Sequence, residues 1–498
     1  MSGVLSWLDN VAQTHPNEIA YEFNEDSITF LNLKKRAISI GKRIMNYAES
    51  KKPIAVMASK SIDTIVAYFG VLYSGHSYAP IDLSMPKGRI NEILAHLNPE
   101  IILTLSKDYY DDLNQSGVKV LLIDDLVSDE ENDEKLNLNV IGTDPAYIIF
   151  TSGSTGKPKG VVTSHNSIMT YISAYAKVMQ INENDVIANQ SPLDYIAAIR
   201  DIYLPIYSGC KTVLFDKRLY MMPNLLVEEM NKRRITCAGW SAASLETLSK
   251  LHIFSENRRP NCLRALCFSG SVLSTTVLRE WQIALPNVKF INQYGPTEAT
   301  ASCTYYEVDH LFSVDEDIPI GVPYDEYRVF ILDNEKNKES SVNEVGEICV
   351  SGNGVTLGYY DNIAQTAEHF VQNPINMEYR EIIYKTGDYG RIDKDGCLWF
   401  HGRMDRQTKI MGHRVELDEI EKYAKCIELV NECACIFHEN AGKLFLFYSG
   451  NCSEGAILKE LKVNLPSFML PRHIIKLNEI PKLPNGKKDY KKLQSEVL

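Results

Sequence analysis

The chain has 498 residues, and 52 Lys and Arg against 64 Asp and Glu give it a formal charge of −12. Its 45% hydrophobic and 23% charged residues are typical of a globular protein and exclude a disordered or fibrous chain. The acidic balance argues against a nucleic-acid binder, because such proteins neutralise phosphates with basic patches.

The first 140 residues alternate helix-like and strand-like segments. Hydrophobic spacing predicts helices over residues 29–44 and 62–74. Short apolar runs predict buried strands over residues 53–56, 101–105 and 118–123. Strands that alternate with helices indicate an α/β fold with a mainly parallel, doubly wound sheet. The acidic stretch 124–134 predicts a solvated loop.

The strand pattern continues further along the chain and then changes. Apolar runs recur at residues 212–215, 263–269 and 288–292. From Pro319, short strands between Gly and Asp turns predict a β-rich subdomain, with strands over 327–332, 346–350 and 391–400. After Gly402 the chain mixes helix and strand, so we place a hinge at 402–405. Asp418 is a predicted N-cap, and Glu421 completes a capping-box pattern.

The sequence contains neither a candidate membrane span nor a signal peptide. The most apolar region, residues 54–75, is broken by Lys60 and Asp63, whereas a span needs about 20 mostly apolar residues. The N-terminus lacks a basic start and a small-residue cleavage site. The 11 cysteines are scattered, which indicates free thiols. We expect a cytoplasmic monomer without membrane or nucleic-acid partners.

A glycine-rich segment with the sequence TSGSTGKPKG begins at Thr151, directly after a predicted buried strand. Glycine lets backbone N–H groups approach a phosphate closely, while hydroxyl residues add donors and lysine adds charge. The segment is not a Walker A loop, because it lies between two strands and does not match that pattern. Two interpretations stay open, a phosphate cradle and a flexible hairpin.

Three further segments carry residues suited to a nucleotide. A strand ends at Tyr294, where the ring can stack on a base, and Thr297 and Glu298 offer hard oxygens for Mg²⁺. Asp388 lies in a turn and can bind a ribose diol, and Lys487 follows a Pro-Asn-Gly turn. Each has a plain alternative, namely an ordinary turn residue or a solvated lysine.

Together, in this order and spacing, the four segments resemble the adenylate-forming superfamily of acyl-CoA synthetases, luciferases and nonribosomal adenylation domains. The resemblance runs essentially end to end, and residues 76–86, 414–421 and 465–472 are most similar to stand-alone aminoacyl adenylation enzymes, including D-alanine–carrier protein ligases. It implies a large domain over 1–402, with doubly wound sheets and a small β-barrel-like part. A small mobile α+β domain over 403–498 follows.

The resemblance also implies a role for each nucleotide-site residue. Thr297 contacts the α-phosphate, Glu298 binds Mg²⁺, and Lys487 bridges the substrate carboxylate and the α-phosphate. Tyr294 packs on adenine and Asp388 binds the ribose. The remaining ATP-binding residues are Thr151, Ser152, Gly153, Ser154, Thr155, Gly156, Lys157 and Arg403.

The implied activity is that of an AMP-forming acid–thiol ligase that uses ATP and Mg²⁺. A small carboxylic acid becomes an acyl-AMP with release of pyrophosphate. The small domain then rotates about Asp405, and Gly412 lines a channel for the phosphopantetheine thiol of a carrier protein. The chain stops about ten residues after Lys487, so we expect that carrier to be a separate protein.

Two other functions stay open. A CoA ligase would share the first half-reaction and use free CoA as the acceptor. A non-catalytic nucleotide-binding protein on the same fold is the more remote alternative. The retention of Lys487, Glu298 and Asp388, together with the intact phosphate loop, argues against it.

The substrate pocket departs from the pattern of amino-acid-activating members. Where those enzymes carry the Asp that pairs with the substrate amino group, this chain has Ile196, and Asp194 lies two residues earlier. Either the backbone shifts so that Asp194 serves, or the site is not built for an α-amino group. Ser269 replaces a Cys of the D-alanine ligases, which argues against D-alanine.

Arg200 is an unusual pocket residue with two interpretations. It pairs with an anionic or hydroxylated substrate, because its fork of donors suits a carboxylate, or it pairs with Asp194 or Asp201 or points to solvent. The pocket positions carried over from the family are Asp194, Ile196, Ala197, Arg200, Gly239, Cys267, Ser269, Gln293, Ala301 and Ser302.

Two clusters favour structural interpretations. Cys426, Cys433, Cys435 and His438 could suggest zinc, but their spacing lacks the usual close cysteine pair and the segment alternates like a strand. The basic residues beside Lys487 either contact an acidic carrier protein or form a solvated tail, and they are Lys488, Lys491 and Lys492.

Overall fold

The computed structural model describes the chain except residues 1–2, 49, 58, 115–117, 128–135, 137–138, 154–156, 256–257, 315, 439–440, 484–486 and 498. Its α-helices are α1 (Leu5–Thr14), α2 (Phe30–Met45), α3 (Ile62–Tyr73), α4 (Lys87–Leu97), α5 (Lys107–Asn114), α6 (Ile123–Leu126), α7 (His165–Met179), α8 (Ala198–Ser208), α9 (Pro223–Lys232), α10 (Ala242–Lys250), α11 (Thr275–Ala284), α12 (Ile363–His369), α13 (Leu417–Lys425), α14 (Glu454–Asn464) and α15 (Tyr490–Ser495). Short 3-10 helices cover Lys217–Met221, Thr297–Ala299 and Ser467–Met469.

The strands are β1 (Ile19–Phe23), β2 (Asp26–Thr29), β3 (Ile54–Met57), β4 (Tyr78–Ile81), β5 (Ile101–Thr104), β6 (Lys119–Leu122), β7 (Pro145–Thr151), β8 (Lys159–Ser164), β9 (Val186–Asn189), β10 (Lys211–Leu214), β11 (Cys237–Ser241), β12 (Ala265–Ser269), β13 (Lys289–Tyr294), β14 (Thr304–Glu307), β15 (Val322–Pro323), β16 (Tyr327–Asp333), β17 (Lys338–Glu339), β18 (Gly346–Gly352), β19 (Phe370–Gln372), β20 (Ile382–Ile392), β21 (Leu398–Arg403), β22 (Gln407–Ile410), β23 (His413–Glu416), β24 (Val430–His438), β25 (Lys443–Gly450) and β26 (His473–Lys476).

The chain divides into two compact units. The first comprises residues Met1–Leu83, Leu97–Ile149 and Gly160–Gly402. The second comprises Arg403–Leu498 together with Ser84–His96 and Phe150–Lys159 from earlier in the chain. The glycine-rich loop therefore belongs to the same unit as the C-terminal residues.

Two large, mainly parallel sheets form the framework of the first unit, which confirms the doubly wound α/β prediction. One has the strand order β15-β14-β13-β12-β11-β9-β10-β1-β2, and only β2, β14 and β15 run antiparallel to their neighbours. The other has the order β6-β5-β3-β4-β7-β8, and its pairs from β6 to β7 are parallel. The carboxyl ends of such strands are the usual place for a ligand.

The nine-stranded sheet is buried on both faces. Side chains of α1, α2, α3, α7 and α8 share an apolar cluster with strands of both large sheets. On the opposite face, α9, α10 and α11 pack around Trp240 and Trp281. Along β12, Cys267 belongs to the first cluster and Phe268 to the second, as expected for alternate side chains of a strand.

Both long helices predicted near the N-terminus are present. Helix α2 begins after Thr29, whose side chain accepts the backbone N–H of Asn32 at 3.3 Å. Helix α3 begins after Ser61, which accepts the N–H of Thr64 at 3.1 Å. Such caps satisfy amides that the first helical turn leaves unpaired.

Two loop and strand predictions were wrong in part. The stretch 391–400 is two strands, β20 and β21, because the Asp393 carboxylate accepts the backbone N–H groups of Asp395 at 3.0 Å and Cys397 at 2.9 Å and closes a turn. The acidic stretch 124–134 begins inside α6, while residues 128–134 lie outside the described part of the chain.

The predicted β-rich subdomain is a separate sheet of the first unit. Its strand order is β17-β16-β18-β20-β19, with β21 added on β20, and the pairs from β17 to β19 run antiparallel. An apolar cluster around Ile348 and Val350 joins this sheet to Tyr294 at the end of β13. Residues from distant parts of the sequence therefore meet near that strand end.

In the second unit, the hairpin β22–β23 and the sheet β24-β25-β26 accompany α13 and α14. The predicted capping box is wrong, because Glu416 holds the N-cap position and Glu421 points into the unit. The Glu421 carboxylate accepts hydrogen bonds from Arg406 at 2.7 Å and from Lys488 at 2.5 Å. Arg406 also stacks over the Tyr490 ring, 3.7 Å from its centroid.

Candidate active site

Tyr294 and Asp388 meet in the first unit although they are 94 positions apart. The Tyr294 hydroxyl donates to Oδ2 of Asp388 at 2.5 Å, and both side chains are buried. Burial, reinforced by the Asp388 carboxylate, raises the pKa of Tyr294 well above its usual range. The phenol is therefore a permanent donor that orients the carboxylate.

Asp388 lies inside strand β20 and not in the predicted turn, and its neighbours fix its position there. The backbone N–H of Asp388 donates to Oγ1 of Thr386 at 3.0 Å, and that hydroxyl donates to the Ile348 carbonyl at 2.7 Å. The Glu347 carboxylate accepts the N–H of Gly387 at 3.1 Å. These three hydrogen bonds fix the backbone that carries the carboxylate, as a ribose-binding residue requires.

Glu298 is completely buried in the 3-10 helix that follows the Gly-Pro turn. Its Oε1 accepts a hydrogen bond from the Tyr359 hydroxyl at 2.7 Å, and its carbonyl accepts the N–H of Thr356 at 2.9 Å. The buried Oγ1 of Thr356 has no hydrogen-bond partner within the described residues. A carboxylate and hydroxyls are the hard oxygen donors that Mg²⁺ prefers, so these residues fit that ion.

The backbone around this helix is tightly folded. Thr300 and Ala301 have φ of 55° and 75°, in the left-handed region that few non-glycine residues adopt. At Gly295 an added Cβ would overlap the Cα of Ser302, so only glycine lets the two segments approach this closely. Such strain often accompanies functional sites, and here it places Ser302 beside the end of β13.

The predicted pocket residues lie on one face of the nine-stranded sheet and on the helices that cover it. Gly239 on β11 pairs with Cys267 on β12, and Gln293 follows on β13. Ile196 is 8% exposed and belongs to the surrounding apolar cluster. An isoleucine there offers no partner for an ammonium group. Ala197 precedes α8, Ser269 ends β12, and Ala301 packs against the same cluster.

Arg200 on α8 points into this face and is 2% exposed. It donates from Nη2 to the Gly239 carbonyl, and its Nε lies 3.5 Å from Oδ1 of Asp201 without forming a hydrogen bond. Burial opposes the charged guanidinium, but acidic neighbours outweigh it and raise the pKa of Arg200. Of the alternatives for Arg200, exposure to solvent is excluded, and an ion pair with Asp201 is present at 3.5 Å.

Asp194 interacts with a lysine and a second carboxylate, Lys60 and Asp82. Burial, followed by the charge of Asp82, raises the pKa of Asp194 to about 7. Nearby Lys60 donates to Oδ1 of Asn189 at 2.8 Å and to the Gln190 carbonyl at 2.9 Å, and burial lowers its pKa to about 8. Asp194 therefore has a charged neighbour of its own within the protein.

The glycine-rich loop and the lysine predicted to be catalytic belong to the second unit. The Ser152 hydroxyl donates to the Arg414 carbonyl at 2.7 Å, and the buried Oγ1 of Thr151 has no hydrogen-bond partner within the described residues. Gly153 is buried, whereas Lys157 and Lys487 are exposed. The predicted ATP-binding residues Ser154, Thr155 and Gly156 lie outside the part of the chain that the structure describes.

Arg403 and Asp405 form a bidentate pair where the second unit resumes after Gly402. The guanidinium donates from Nε and Nη2 to the two Asp405 oxygens, at 2.7 and 2.8 Å. Burial opposes the charged form of Asp405, but the Arg403 hydrogen bonds outweigh it and lower the pKa. Gly412, with φ of 85°, forms the tip of the β22–β23 hairpin beside exposed Met411.

Several residues that contact the predicted site were missed from the sequence. Tyr359, the donor to Glu298, lies in a Gly-Tyr-Tyr segment without a distinctive pattern, and Lys60 was noted only as an interruption of an apolar run. The buried tyrosines around Arg200 resemble ordinary core residues in the sequence. They are Tyr171, Tyr175 and Tyr324.

The described residues form neither a metal site nor a membrane-spanning helix. No three or more His, Cys, Asp and Glu side chains among them are arranged to hold a metal ion. Cys433 instead donates to the Glu421 carbonyl at 3.2 Å, and Cys435 is a buried free thiol on strand β24. No helix in the described ranges is long and apolar enough to cross a bilayer.

Comparison with known proteins agrees with this architecture. Residues 8–360 match the model of the AMP-binding enzyme family. The chain is 30% identical to zwittermicin A synthase ZmaJ of Bacillus cereus, covering 96% of this chain and 92% of that relative. It is 31% identical to a D-alanine–D-alanyl carrier protein ligase of Listeria welshimeri, covering 100% and 99%.

A solved structure supports the same assignment. The fold matches holo-PA1221, an NRPS protein containing adenylation and PCP domains, with a TM-score of 0.85 at 25% identity. The match covers 99% of this chain and 84% of that one. The chain belongs to the AMP-binding enzyme family and is an adenylate-forming ligase.

Proposed function

We propose that this ligase activates a small carboxylic acid as an acyl-AMP and transfers the acyl group to the phosphopantetheine thiol of a separate carrier protein. In the first step a carboxylate oxygen bonds to the α-phosphorus and the bond to the β-phosphate bridging oxygen breaks, releasing pyrophosphate. In the second step the thiol sulfur bonds to the acyl carbon, its proton is lost, and AMP leaves.

The observation that carries the first step is the buried Tyr294–Asp388 pair in a chain of this family. We assign the adenine to the Tyr294 ring and the ribose diol to Asp388. Thr297 faces the α-phosphate in this scheme. Glu298 and Thr356 supply oxygen ligands for Mg²⁺, which when bound neutralises phosphate charge.

Two anions must meet in this reaction, so positive charge has to be concentrated between them. We assign that role to Lys487, with Lys157, Arg403 and the amides of residues 151–157 on the phosphates. We propose that residues 1–402 bind the substrates and that residues 403–498 deliver the catalytic lysine. Asp405 is the proposed hinge and Gly412 the proposed channel residue.

The two relatives that span this chain guide the choice of acceptor. One is a D-alanine–D-alanyl carrier protein ligase, and the matched solved structure includes a PCP domain. We therefore propose a carrier protein as acceptor and keep free CoA as the alternative. The 11 cysteines are all free thiols, which supports the reducing cytoplasm as the location.

Acid-dependent exchange of labelled pyrophosphate into ATP tests the first step. Lys487→Ala should reduce exchange by at least a hundredfold, because the charge between the two anions is lost. Lys491→Ala is the matched control, since Lys491 is an exposed lysine on the neighbouring helix α15. Full exchange by the Lys487→Ala protein would refute the assigned mechanism.

The acceptor is tested by offering labelled acid, ATP, CoA and a holo carrier protein together. Label on the carrier is the expected result. Label on CoA alone would replace the proposal with an acyl-CoA ligase. A holo carrier whose pantetheine thiol is alkylated is the control, because it keeps the protein surface but cannot form a thioester.

A further inference from the structure

Four buried polar groups in the pocket lack hydrogen-bond partners among the residues that the structure describes. They are Nε of Arg200, the Tyr171 hydroxyl, Oε1 of Gln293 and the Ser302 hydroxyl. The four residues are each 2% exposed or less. Buried polar groups are normally hydrogen-bonded, and a cluster of exceptions indicates that a ligand completes the bonds.

These groups lie together on one side of the nine-stranded sheet. The pKa of Tyr171 is raised to about 12 by burial, while Arg200 and Ser302 act in the opposite direction, so both are close to its hydroxyl. Gln293 donates from Nε2 to the Tyr324 hydroxyl at 2.9 Å, and Ser302 also interacts with Tyr324. The unpartnered atoms therefore belong to one connected cluster.

Among the described residues, Nε of Arg200 has no hydrogen-bond partner, although it forms an ion pair with Asp201 at 3.5 Å. Asp201 is the nearest carboxylate, but its Oδ2 already accepts from Asn189 at 2.8 Å and its Oδ1 makes no hydrogen bond with Nε. Arg200 donates from Nη2 to the Gly239 carbonyl. It stands 5.9 Å from the centroid of the Tyr175 ring, which supports a cation without neutralising it.

The absence of a side chain at Gly239 leaves the space that the Arg200 guanidinium occupies. A Cβ at position 239 would overlap Nε, Cζ and Nη2 of Arg200, so any other residue would displace the side chain. Cys267, opposite Gly239 on the next strand, is held by the Tyr175 hydroxyl at 3.2 Å. The surrounding residues thus fix the position of the Arg200 side chain.

We infer that the activated acid carries a second hydrogen-bond acceptor at the end of its side chain, a carboxylate or a carbonyl, received by Arg200, Tyr171 and Ser302. This inference rests on the proposed function, because it names the substrate class of the same pocket. Three donors converge on the site, and an acceptor group is what they lack. An apolar side chain would leave them buried and unpaired.

Isosteric acid trios test the inference. Succinate, succinamate and 4-methylpentanoate share one shape and differ only in a carboxylate, amide or isopropyl end, and aspartate, asparagine and leucine repeat the series with an α-amino group. Two further trios test substrates with longer side chains. One is glutarate, glutaramate and 5-methylhexanoate, and the other is terephthalate, 4-carbamoylbenzoate and 4-isopropylbenzoate. Pyrophosphate exchange gives kcat/KM for each acid, and the carboxylate and amide arms distinguish a charged from a neutral acceptor.

We expect the better acceptor-ended acid of the preferred trio to exceed its isopropyl isostere by at least tenfold. Arg200→Met should remove or reverse that preference. Tyr171→Phe and Ser302→Ala, which delete single hydroxyls, should each weaken it without unfolding the protein. Tyr220→Phe is the matched control, because it deletes a buried hydroxyl in the other apolar cluster of the sheet that has no hydrogen-bond partner among the described residues.

Two failures are distinguishable. Equal or faster exchange with the isopropyl acids would overturn the inference and leave the proposed function standing. No exchange with any acid in the panel would count against the proposed function itself, and the inference would fall with it. A preference that persists unchanged in Arg200→Met and in both hydroxyl variants would also overturn the assignment to these residues.

Discussion

The hydroxyl of Tyr359 donates to Oε1 of the fully buried Glu298 at 2.7 Å. Tyr359 itself is fixed, because its backbone N–H donates to Oγ1 of Thr366 at 2.9 Å. In metal sites, partners that orient a ligand typically change affinity or activity about 10–100-fold when they are removed. Tyr359 is therefore a positioning residue for the proposed Mg²⁺ ligand.

Tyr359→Phe should raise the Mg²⁺ concentration needed for half-maximal exchange by about tenfold, because the Glu298 carboxylate loses the donor that orients it. The measurement is a magnesium titration of pyrophosphate exchange at saturating ATP. Tyr360→Phe is the control, since its hydroxyl donates to the Leu97 carbonyl at 3.2 Å, away from Glu298. An unchanged magnesium requirement in Tyr359→Phe would contradict the assigned role.

Asp388→Asn should raise the KM for ATP by roughly tenfold or more, because a neutral amide is a poorer acceptor for two ribose hydroxyls than a carboxylate. Asp309→Asn is a matched control. Asp309 also accepts from a tyrosine, Tyr306, at 3.0 Å, but the pair is exposed. ATP titrations of both variants measure the KM. Equal KM values for the two variants would contradict the assignment of Asp388 to the nucleotide site.

Two ion pairs of the second unit differ in how much they contribute to its stability. In the second unit Arg89 and Glu419 form a pair whose side chains are 6% and 0% exposed. Glu419→Gln should lower the free energy of unfolding of that unit by about 3–5 kcal/mol, because a buried charge is left without its partner. Glu432→Gln, which breaks the half-exposed pair with Lys482, should cost under about 1 kcal/mol.

Thermal unfolding followed by circular dichroism measures both variants. The order of the two transition temperatures is the test, with Glu419→Gln clearly lower. Equal values would show that the Arg89–Glu419 pair contributes little to stability.

Asp194 gives a pH-dependent prediction. Its folded pKa of about 7 exceeds its ordinary value of 3.8, so the folded protein keeps a proton that the unfolded chain releases as the pH rises from 4 to 7. Stability due to this group is therefore full below pH 4 and is lost by about pH 7. The charge of Lys60 reduces the penalty, and that of Asp82 increases it.

Asp194→Asn should leave stability nearly unchanged at pH 4 and raise it by about 1–2 kcal/mol at pH 8, since one pKa unit corresponds to about 1.4 kcal/mol and water screens a half-buried carboxylate. Asp216→Asn is the control of opposite sign, because Arg218 hydrogen bonds lower the pKa of Asp216. Denaturant unfolding at both pH values checks the pair. Destabilisation by Asp194→Asn at pH 8 would contradict the assignment.

Because Ile196 lies in the pocket, we expect slow pyrophosphate exchange with proteinogenic α-amino acids. A buried ammonium needs an anionic partner, and the apolar surroundings of Ile196 provide none. Members of the succinate trio should therefore exceed their α-amino counterparts by about tenfold in exchange kcat/KM. Faster exchange with an α-amino acid, abolished by Asp194→Asn, would show instead that Asp194 binds the amino group.

Much of this architecture could be predicted from sequence because it depends on local patterns. Helices α2 and α3 follow from apolar spacing and a capping Thr29 or Ser61, and the strand before Tyr294 follows from a short apolar run. The turn at Asp393 was not predicted, because the sequence does not show which backbone N–H groups the Asp393 carboxylate accepts.

The pocket could be predicted only in part. Family position identified Arg200, but its burial against Gly239 depends on strands β11 and β12 being neighbours, which no local pattern encodes. The Tyr359 contact with Glu298 likewise joins residues 61 positions apart. Glu421 was predicted as a cap because its spacing fits one, yet tertiary contacts with Arg406 and Lys488 place it elsewhere.

The proposed function depends on the attack of a carboxylate oxygen on the α-phosphorus of ATP. The most direct measurement uses the best acid of the panel with both carboxylate oxygens labelled with ¹⁸O, and mass spectrometry of the AMP released after thioester formation. We expect AMP that carries one ¹⁸O atom, because the acid oxygen stays on phosphorus when the thiol attacks the acyl carbon. Unlabelled AMP, or ADP as the product, would contradict it.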